Sequence, residues 1–191
     1  MDTLFSRVTR AAMLDVEFFK EAESDTSLNQ EALLVVVLVS LAGAIGGFIG
    51  GLIGGSFGSA LLALIVALII GIVNYYIWAY VTYFVGKQLF NADVNAGEML
   101  RVLGYASGPR VLSIISFIPC IGWLAALAGG IWALVAGFIG SREALDLDTT
   151  KTIITVVVGW LIVTVIGFVV LSVLGIGGLA LGAAGEMLGG R

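Results

Sequence analysis

Long apolar runs, separated by short polar clusters, dominate the chain from Ala32 to Leu174. The runs are continuous rather than alternating, which indicates helices and not the strands of a membrane barrel. About 20 apolar residues in a helix cross a bilayer, and five runs are long enough. They cover residues 33–55, 59–86, 99–118, 123–140 and 152–174. The pattern predicts an all-α membrane protein, built as a bundle of five transmembrane helices.

Polar loops at residues 91–98 and 142–148 separate two pairs of runs. The connections at Gly54–Gly58 and Pro119–Gly122 carry no charge, so glycine and proline alone predict a turn there. We therefore divide the chain into a cytoplasmic segment over residues 1–31, a membrane domain over 32–185, and a Gly-rich outer tail over 175–191.

Lysine and arginine predict the orientation. They cluster before the first run, between the second and third, and between the fourth and fifth, whereas the two uncharged connections have none. Because cytoplasmic loops carry the excess of positive charge, we expect a multi-pass cell-membrane protein with its N-terminus in the cytoplasm and its C-terminus outside.

The first 30 residues contain an amphipathic helical pattern. Apolar residues recur at helical spacing, at Phe5, Val8, Ala12, Val16 and Phe19. Two interpretations remain open: the helix lies in the plane of the membrane interface, or it packs on the loops of its own bundle.

Composition supports the membrane assignment and removes several kinds of chemistry. The chain is 60% hydrophobic and 12% charged, with a mean hydropathy of +1.12. It has no histidine and a single cysteine, Cys120, so metal and haem sites and catalytic triads lack their residues. No basic stripe suggests nucleic acid. We expect no cofactor, no bound metal and no enzymatic activity.

Two glycine ladders run along the first predicted span. Residues four apart share a helix face, so ridges without side chains let another helix approach closely. The fourth span has a shorter version at Gly129, Gly130, Ala133 and Gly137, and we expect the two spans to be partners. Packing inside the monomer, a homodimer face and a pore lining all remain open. The ladders consist of Gly43, Gly47, Gly51 and Gly55, and of Gly46, Gly50, Gly54 and Gly58.

Polar residues within the apolar runs form the candidate site. Arg110 lies in the third run, where a charge is costly unless it pairs, reaches the interface, or faces a cavity or a lipid phosphate. Asn74 in the second run can bond across helices. Glu98 and Arg101 are three residues apart and are predicted to pair at the start of the third run.

The motif around Arg110 resembles a known family. Residues 98–109 read E-M-L-R-V-L-G-Y-A-S-G-P, and the chain opens with R-V-T-R at residues 7–10 and D-V-E-F-F at residues 15–19. These segments are similar to the prokaryotic branch of the Yip1 family, in which a proline usually stands where this chain has Asp15. The resemblance implies five spans and a cytoplasmic N-terminus. Eukaryotic members of the family are linked to vesicle trafficking and to Rab GTPases, but the D-L-Y-G-P motif of that branch is absent here.

Within the motif, Pro109 removes a helix hydrogen bond and bends the helix, and Gly104 and Gly108 make room for a neighbouring backbone. The bend is predicted to bring the Tyr105 hydroxyl near Arg110.

Two functions follow. The first is a Yip1-like membrane scaffold or accessory subunit that associates with lipids, with other membrane proteins or with itself through small-residue faces. The alternative is a small transporter, channel or lipid-handling protein that uses the Tyr105–Arg110 bend. A polar cavity around Arg110 would favour the alternative.

Overall fold

The computed structural model describes residues 3–54 and 57–173, and within them every regular element is helical. A short 3₁₀ turn, Thr26–Leu28, precedes α3, and a longer one, Gly108–Ile115, follows α5 and is called the 3₁₀ segment below. The α-helices are α1 (Leu4–Ala12), α2 (Val16–Ser24), α3 (Asn29–Gly54), α4 (Phe57–Phe90), α5 (Ala96–Ala106), α6 (Ile121–Ala144) and α7 (Thr149–Val173).

Four of the described helices are long and apolar enough to cross a membrane. These spans are Thr26–Ile53, Phe57–Phe90, Ile121–Ala144 and Thr149–Val169. They correspond to the first, second, fourth and fifth predicted runs. Many of their large apolar side chains are exposed on the outside of the bundle, as expected where lipid replaces water as the solvent. The predicted outer tail over 175–191 lies outside the described residues.

The third predicted span, residues 99–118, is not one continuous helix. α5 ends at Ala106, and the chain continues as the 3₁₀ segment. Pro109 has no N–H to donate to Tyr105, and the next amide, of Arg110, bonds three residues back to Ser107 at 3.0 Å. The sequence correctly predicts a disturbance at Pro109, but the result is a change of helix type, not a simple bend.

α5 is the buried centre of one end of the bundle. α1 and α2 form a hairpin that packs on α5 and α6, and the fully buried side chains there include Phe18, Phe19 and Met99. The rings of Phe18 and Tyr105 meet edge to face at 4.9 Å between centroids. The N-terminal segment thus packs on its own bundle, which is one of the two alternatives that the sequence leaves open.

The first glycine ladder packs inside the monomer, but against an unexpected partner. A side chain at Gly46 would meet the carbonyl oxygens of Ser113 and Ile114 at 2.7 and 2.6 Å, and Gly43 faces Ser113 as well. Gly51 instead packs against Ala60 of α4. Gly43 and Gly46 thus hold the 3₁₀ segment against α3, and Gly50 faces Phe117 just beyond that segment.

The glycines of the fourth span hold the other side of the same segment. Gly129 packs against the carbonyl of Pro109, and Gly122 against the carbonyls of Ile115 and Ser116. The prediction that the first and fourth spans are direct partners through these faces is therefore corrected: the 3₁₀ segment lies between them. Close backbone contact on both sides therefore stabilises the 3₁₀ segment, whose hydrogen-bond geometry is poorer than that of an α-helix. Gly55 lies outside the described residues.

Candidate functional site

A cavity of about 550 Å³ lies within the bundle. α3, α4, α6 and α7 surround it, and α5 and the 3₁₀ segment supply the remaining wall. Most of its lining is apolar, and small residues such as Gly71, Gly130 and Gly137 provide the room. A side chain added at Gly130 would meet nothing within 4 Å. The bundle therefore does not pack solid around Arg110.

Arg110 is the cation that lines this cavity. Its backbone carbonyl accepts a hydrogen bond from Ser113 at 2.7 Å, but its guanidinium has no partner among the described residues. Asn74 of α4 lines the same cavity, and its side-chain amide is likewise unpaired within the described chain. The other polar side-chain groups of the lining are the indoles of Trp78 and Trp160 and the hydroxyls of Ser40, Tyr75, Ser107, Ser113, Ser141 and Thr164. The described lining contains no carboxylate to neutralise Arg110.

Arg110 lies deep along the bundle. Gly129 packs on the backbone of Pro109 and Arg110, and Gly129 follows the start of α6, Ile121, by eight residues. At about 1.5 Å per residue, Arg110 is therefore roughly 12 Å from that end of α6 and roughly 20 Å from Arg142 at the other. The Arg110 side chain is exposed, so the cavity is open at this point. A guanidinium at such depth needs water, an anion or a reach to the interface to offset the cost of its charge in lipid.

A narrower apolar groove adjoins the cavity between α6 and α7. Its volume is about 220 Å³, and no polar surface lines it. Leu134, Phe138 and Val156 line both the groove and the cavity. Together the two spaces offer a cationic, hydroxyl-rich interior and an apolar strip that reaches the side of the bundle. This division of polar and apolar surface matches an amphiphilic ligand.

Tyr105 does not face the cavity. Its hydroxyl donates to the Glu31 carboxylate at 2.7 Å, and the same carboxylate accepts from Arg7 at 2.7 Å. These contacts tie α5 to α3 and α1. The predicted approach of Tyr105 to Arg110 therefore gives way to two separate sites on opposite faces of α5 and the 3₁₀ segment.

Arg101 holds the end of α2. Its guanidinium donates to the carbonyls of Ala22, at 2.7 Å, and of Glu23, and to the side-chain oxygen of Asn29 at 2.9 Å. Because the last carbonyls of a helix lack donors of their own, a buried arginine there both satisfies them and complements the helix dipole. Arg101 thus fixes the hairpin to α5.

Glu98 caps the start of α5 and does not pair with Arg101. Its carboxylate accepts from the Asn95 amide at 2.9 Å, and the Asn95 side chain accepts from the Glu98 amide at 3.1 Å. This reciprocal arrangement is a capping box. The pair predicted between Glu98 and Arg101 is replaced by these separate partners. Burial raises the pKa of the nearby Glu23 carboxyl, and the charges of Glu98, Asp146 and Glu143 raise it further.

Asp15, which stands where the family usually has a proline, begins α2. Its carboxylate accepts from the amides of Glu17 and Phe18 and pairs with Arg10 at 2.7 Å. The hydrogen bond from Arg10 lowers the pKa of the Asp15 carboxyl. An N-cap carboxylate and a proline both favour a helix start, so the departure keeps the local structure and adds a link between α1 and α2.

The structure therefore brings two of the five predicted site residues, Asn74 and Arg110, into one cavity and assigns Tyr105, Arg101 and Glu98 to the hairpin and its anchor. Sequence reasoning missed Glu31 and Arg7, which complete the Tyr105 cluster. The sequence feature that could have identified Glu31 as a site residue is a carboxylate in the first turn of an otherwise apolar helix.

Comparison with known families agrees with the resemblance in the sequence. A family model described as the Yip1 domain matches residues 13–171, which is most of the chain. No curated protein matches the chain significantly. No solved structure does either.

Proposed function

The chain belongs to the Yip1 domain family and is a multi-pass membrane protein, and on that premise we propose that it binds an anionic lipid within its bundle. It acts as a lipid-handling protein rather than as an enzyme. One observation carries the proposal: Arg110 lines an open cavity between the membrane helices, and its guanidinium has no partner among the described residues.

The shape and chemistry of the cavity support this ligand class. A volume of about 550 Å³ falls within the roughly 300–1,000 Å³ of small-molecule sites. Arginine binds phosphate through two parallel hydrogen bonds. The hydroxyl groups of Ser107, Ser113 and Thr164 donate to backbone carbonyls and would have to rotate to donate to the remaining oxygens. The apolar groove between α6 and α7 would hold acyl chains. A free phosphate could accept the same hydrogen bonds as a phospholipid headgroup, but it has no acyl chain to fill the apolar groove.

Native mass spectrometry of the protein purified in mild detergent tests the proposal. Wild type, incubated with phosphatidylglycerol or phosphatidylcholine, is expected to retain the anionic lipid preferentially. Arg110→Gln removes a charged donor worth about 1.5–3 kcal/mol, so retention of phosphatidylglycerol should fall at least about tenfold. Gly130→Leu should lower retention too, because its side chain would occupy the cavity while meeting no neighbouring atom.

Arg142→Gln is the matched control. Arg142 is a partly exposed arginine that pairs with Glu143 at the far end of α6, so its loss should leave lipid retention unchanged. Equal retention by wild type and Arg110→Gln would reject the proposal. Binding of inorganic phosphate that depends on Arg110, with no lipid retained, would reject a lipid in favour of a free anion.

We further propose five crossings of the cell membrane, with the N-terminus in the cytoplasm and the C-terminus outside. α5 and the 3₁₀ segment together would form the third crossing, since 11 and 8 residues extend about 32 Å at 1.5 and 2.0 Å per residue. The loops that contain lysine or arginine would then share the cytoplasmic side.

The native Cys120 tests this orientation without a new cysteine. It is exposed in the turn before α6 and is the chain's one cysteine. A membrane-impermeant maleimide should label it on intact cells, and Cys120→Ser should remove the signal. Labelling only after the membrane is permeabilised would place this turn in the cytoplasm and overturn the topology.

A second candidate is a scaffold or accessory role, in which small-residue faces bind other membrane proteins or a second copy. Three glycines favour it, because a side chain at Gly47, Gly58 or Gly167 would meet nothing within 4 Å inside the monomer. These positions are available to an external helix. Loss of an oligomer or of a co-purifying protein in Gly47→Leu would support this role, and unchanged association would count against it.

A further inference from the structure

The α1–α2 hairpin reaches well below the end of the bundle at which it docks. The indole N–H of Trp132 donates to the carbonyl of Ala12, the last residue of α1, at 2.6 Å. Trp132 lies in the middle of α6, ten residues before Arg142, or about 15 Å along the helix. Val8 packs against Gly108, at the break between α5 and the 3₁₀ segment. The C-terminal end of α1 therefore lies at the depth of the membrane spans.

The exposed side chains of the hairpin are apolar at the two ends of α1 and polar on α2. Met13, at the tip between α1 and α2, is 74% exposed, and Phe5 on α1 is 81% exposed. The exposed positions of α2 are Glu17, Lys20 and Ser24 instead. Such an arrangement suits a hairpin whose α1 side meets hydrocarbon and whose α2 side meets water.

The arginines of α1 are compatible with this depth because they turn inward and are neutralised. Arg7 pairs with Glu31 at 2.7 Å, and Arg10 pairs with Asp15 at 2.7 Å and with Glu21 at 3.0 Å. The guanidinium of Arg10 also lies 5.2 Å from the centre of the Phe18 ring. The charges of α1 are thus tied to the protein and leave the apolar tip to the outside.

The tip continues a surface that faces lipid. Ile131 of α6, next to Trp132, is 58% exposed on a membrane-length helix, so its surroundings are acyl chains. We infer that the hairpin is inserted into the leaflet on the Arg142 side, with Met13 and Phe5 among the acyl chains. The hairpin is then a membrane-embedded wedge and not a water-exposed appendage. This inference does not depend on the proposed lipid ligand at Arg110.

Site-directed spin labelling in proteoliposomes tests the inference. In a Cys120→Ser background, single cysteines replace Met13, Phe5, Ile131 and Lys20, and each label is measured for collision with oxygen and with a water-soluble nickel complex. The labels at positions 13 and 5 should resemble the label at 131, with an oxygen-to-nickel ratio several-fold above that at position 20.

All four positions are exposed, so the labels should leave the fold intact, and a melting curve of each variant checks this. If labels at 13 and 5 collide with the nickel complex as readily as the label at 20, the hairpin lies in water and the inference is wrong. If only the label at position 5 collides with the nickel complex as readily as the label at 20, Phe5 does not lie among the acyl chains, and only the region around Met13 is inserted.

Discussion

Gly46→Leu is expected to lower the melting temperature of the detergent-solubilised protein by several degrees. Any side chain at Gly46 meets two carbonyl oxygens of the 3₁₀ segment at under 3.0 Å, and backbone cannot move away as a flexible side chain would. Overpacking of this kind costs roughly 1–3 kcal/mol or more, which corresponds to about 2–4 °C per kcal/mol in a chain of this size. Tryptophan fluorescence during heating measures the change.

Gly47→Leu is the matched control, since Gly47 is the next residue on the same helix and has open space around it. Its melting temperature should stay within about 1 °C of wild type, because a surface change that breaks no contact is worth at most ~0.5 kcal/mol. Helix propensity favours leucine over glycine at both positions. Equal loss of stability in both variants would therefore mean that close packing of Gly46 on the 3₁₀ segment is not what makes the α3 glycines matter.

Arg101→Met is expected to release the α1–α2 hairpin from α5. The substitution leaves the buried carbonyls of Ala22 and Glu23 without donors, and each unpaired group costs about 1–3 kcal/mol. A local loss near 3 kcal/mol raises the open population roughly 100-fold. Hydrogen exchange should therefore accelerate by that factor across α2, while the amides of α7, which packs on α4 and α6, keep their rates.

Arg142→Met provides the comparison for this prediction as well. It removes a partly exposed ion pair with Glu143, and such pairs contribute about 0–1 kcal/mol. Exchange in α2 should hardly change. If Arg101→Met leaves the exchange of α2 at the wild-type rate, the hairpin is held by its other contacts, such as the packing of Phe18 and Phe19, and the anchoring role of Arg101 is refuted.

The membrane helices are predictable from the sequence because a 20-residue apolar run has few alternatives. α3, α4, α6 and α7 begin and end within a few residues of the predicted runs, apart from the extra turn of α4 after Gly86. The third run is harder to predict from the sequence. It is apolar enough to count as a span, yet Pro109 and the glycines beside it change the helix type, and only the glycines of α3 and α6 explain how that form is held.

The site residues show where single-sequence reasoning stops. Arg110, Arg101 and Tyr105 all stand out as polar groups in apolar surroundings. The sequence alone does not distinguish their roles. Their different roles come from partners distant in the chain: Glu31 for Tyr105, the end of α2 for Arg101, and no described residue for Arg110. A spacing along one helix does not reveal which of its faces is covered by a segment 70 residues away.

The proposed contact between the Arg110 guanidinium and a lipid phosphate is tested most directly by solid-state NMR in phosphatidylglycerol bilayers. With arginine labelled in carbon-13 and nitrogen-15, dipolar recoupling to phosphorus reports which guanidinium groups lie against a phosphate. We expect a strongly coupled guanidinium in wild type whose signal is lost in Arg110→Gln and kept in Arg142→Gln. A wild-type spectrum in which no phosphorus coupling depends on Arg110 would contradict the claim.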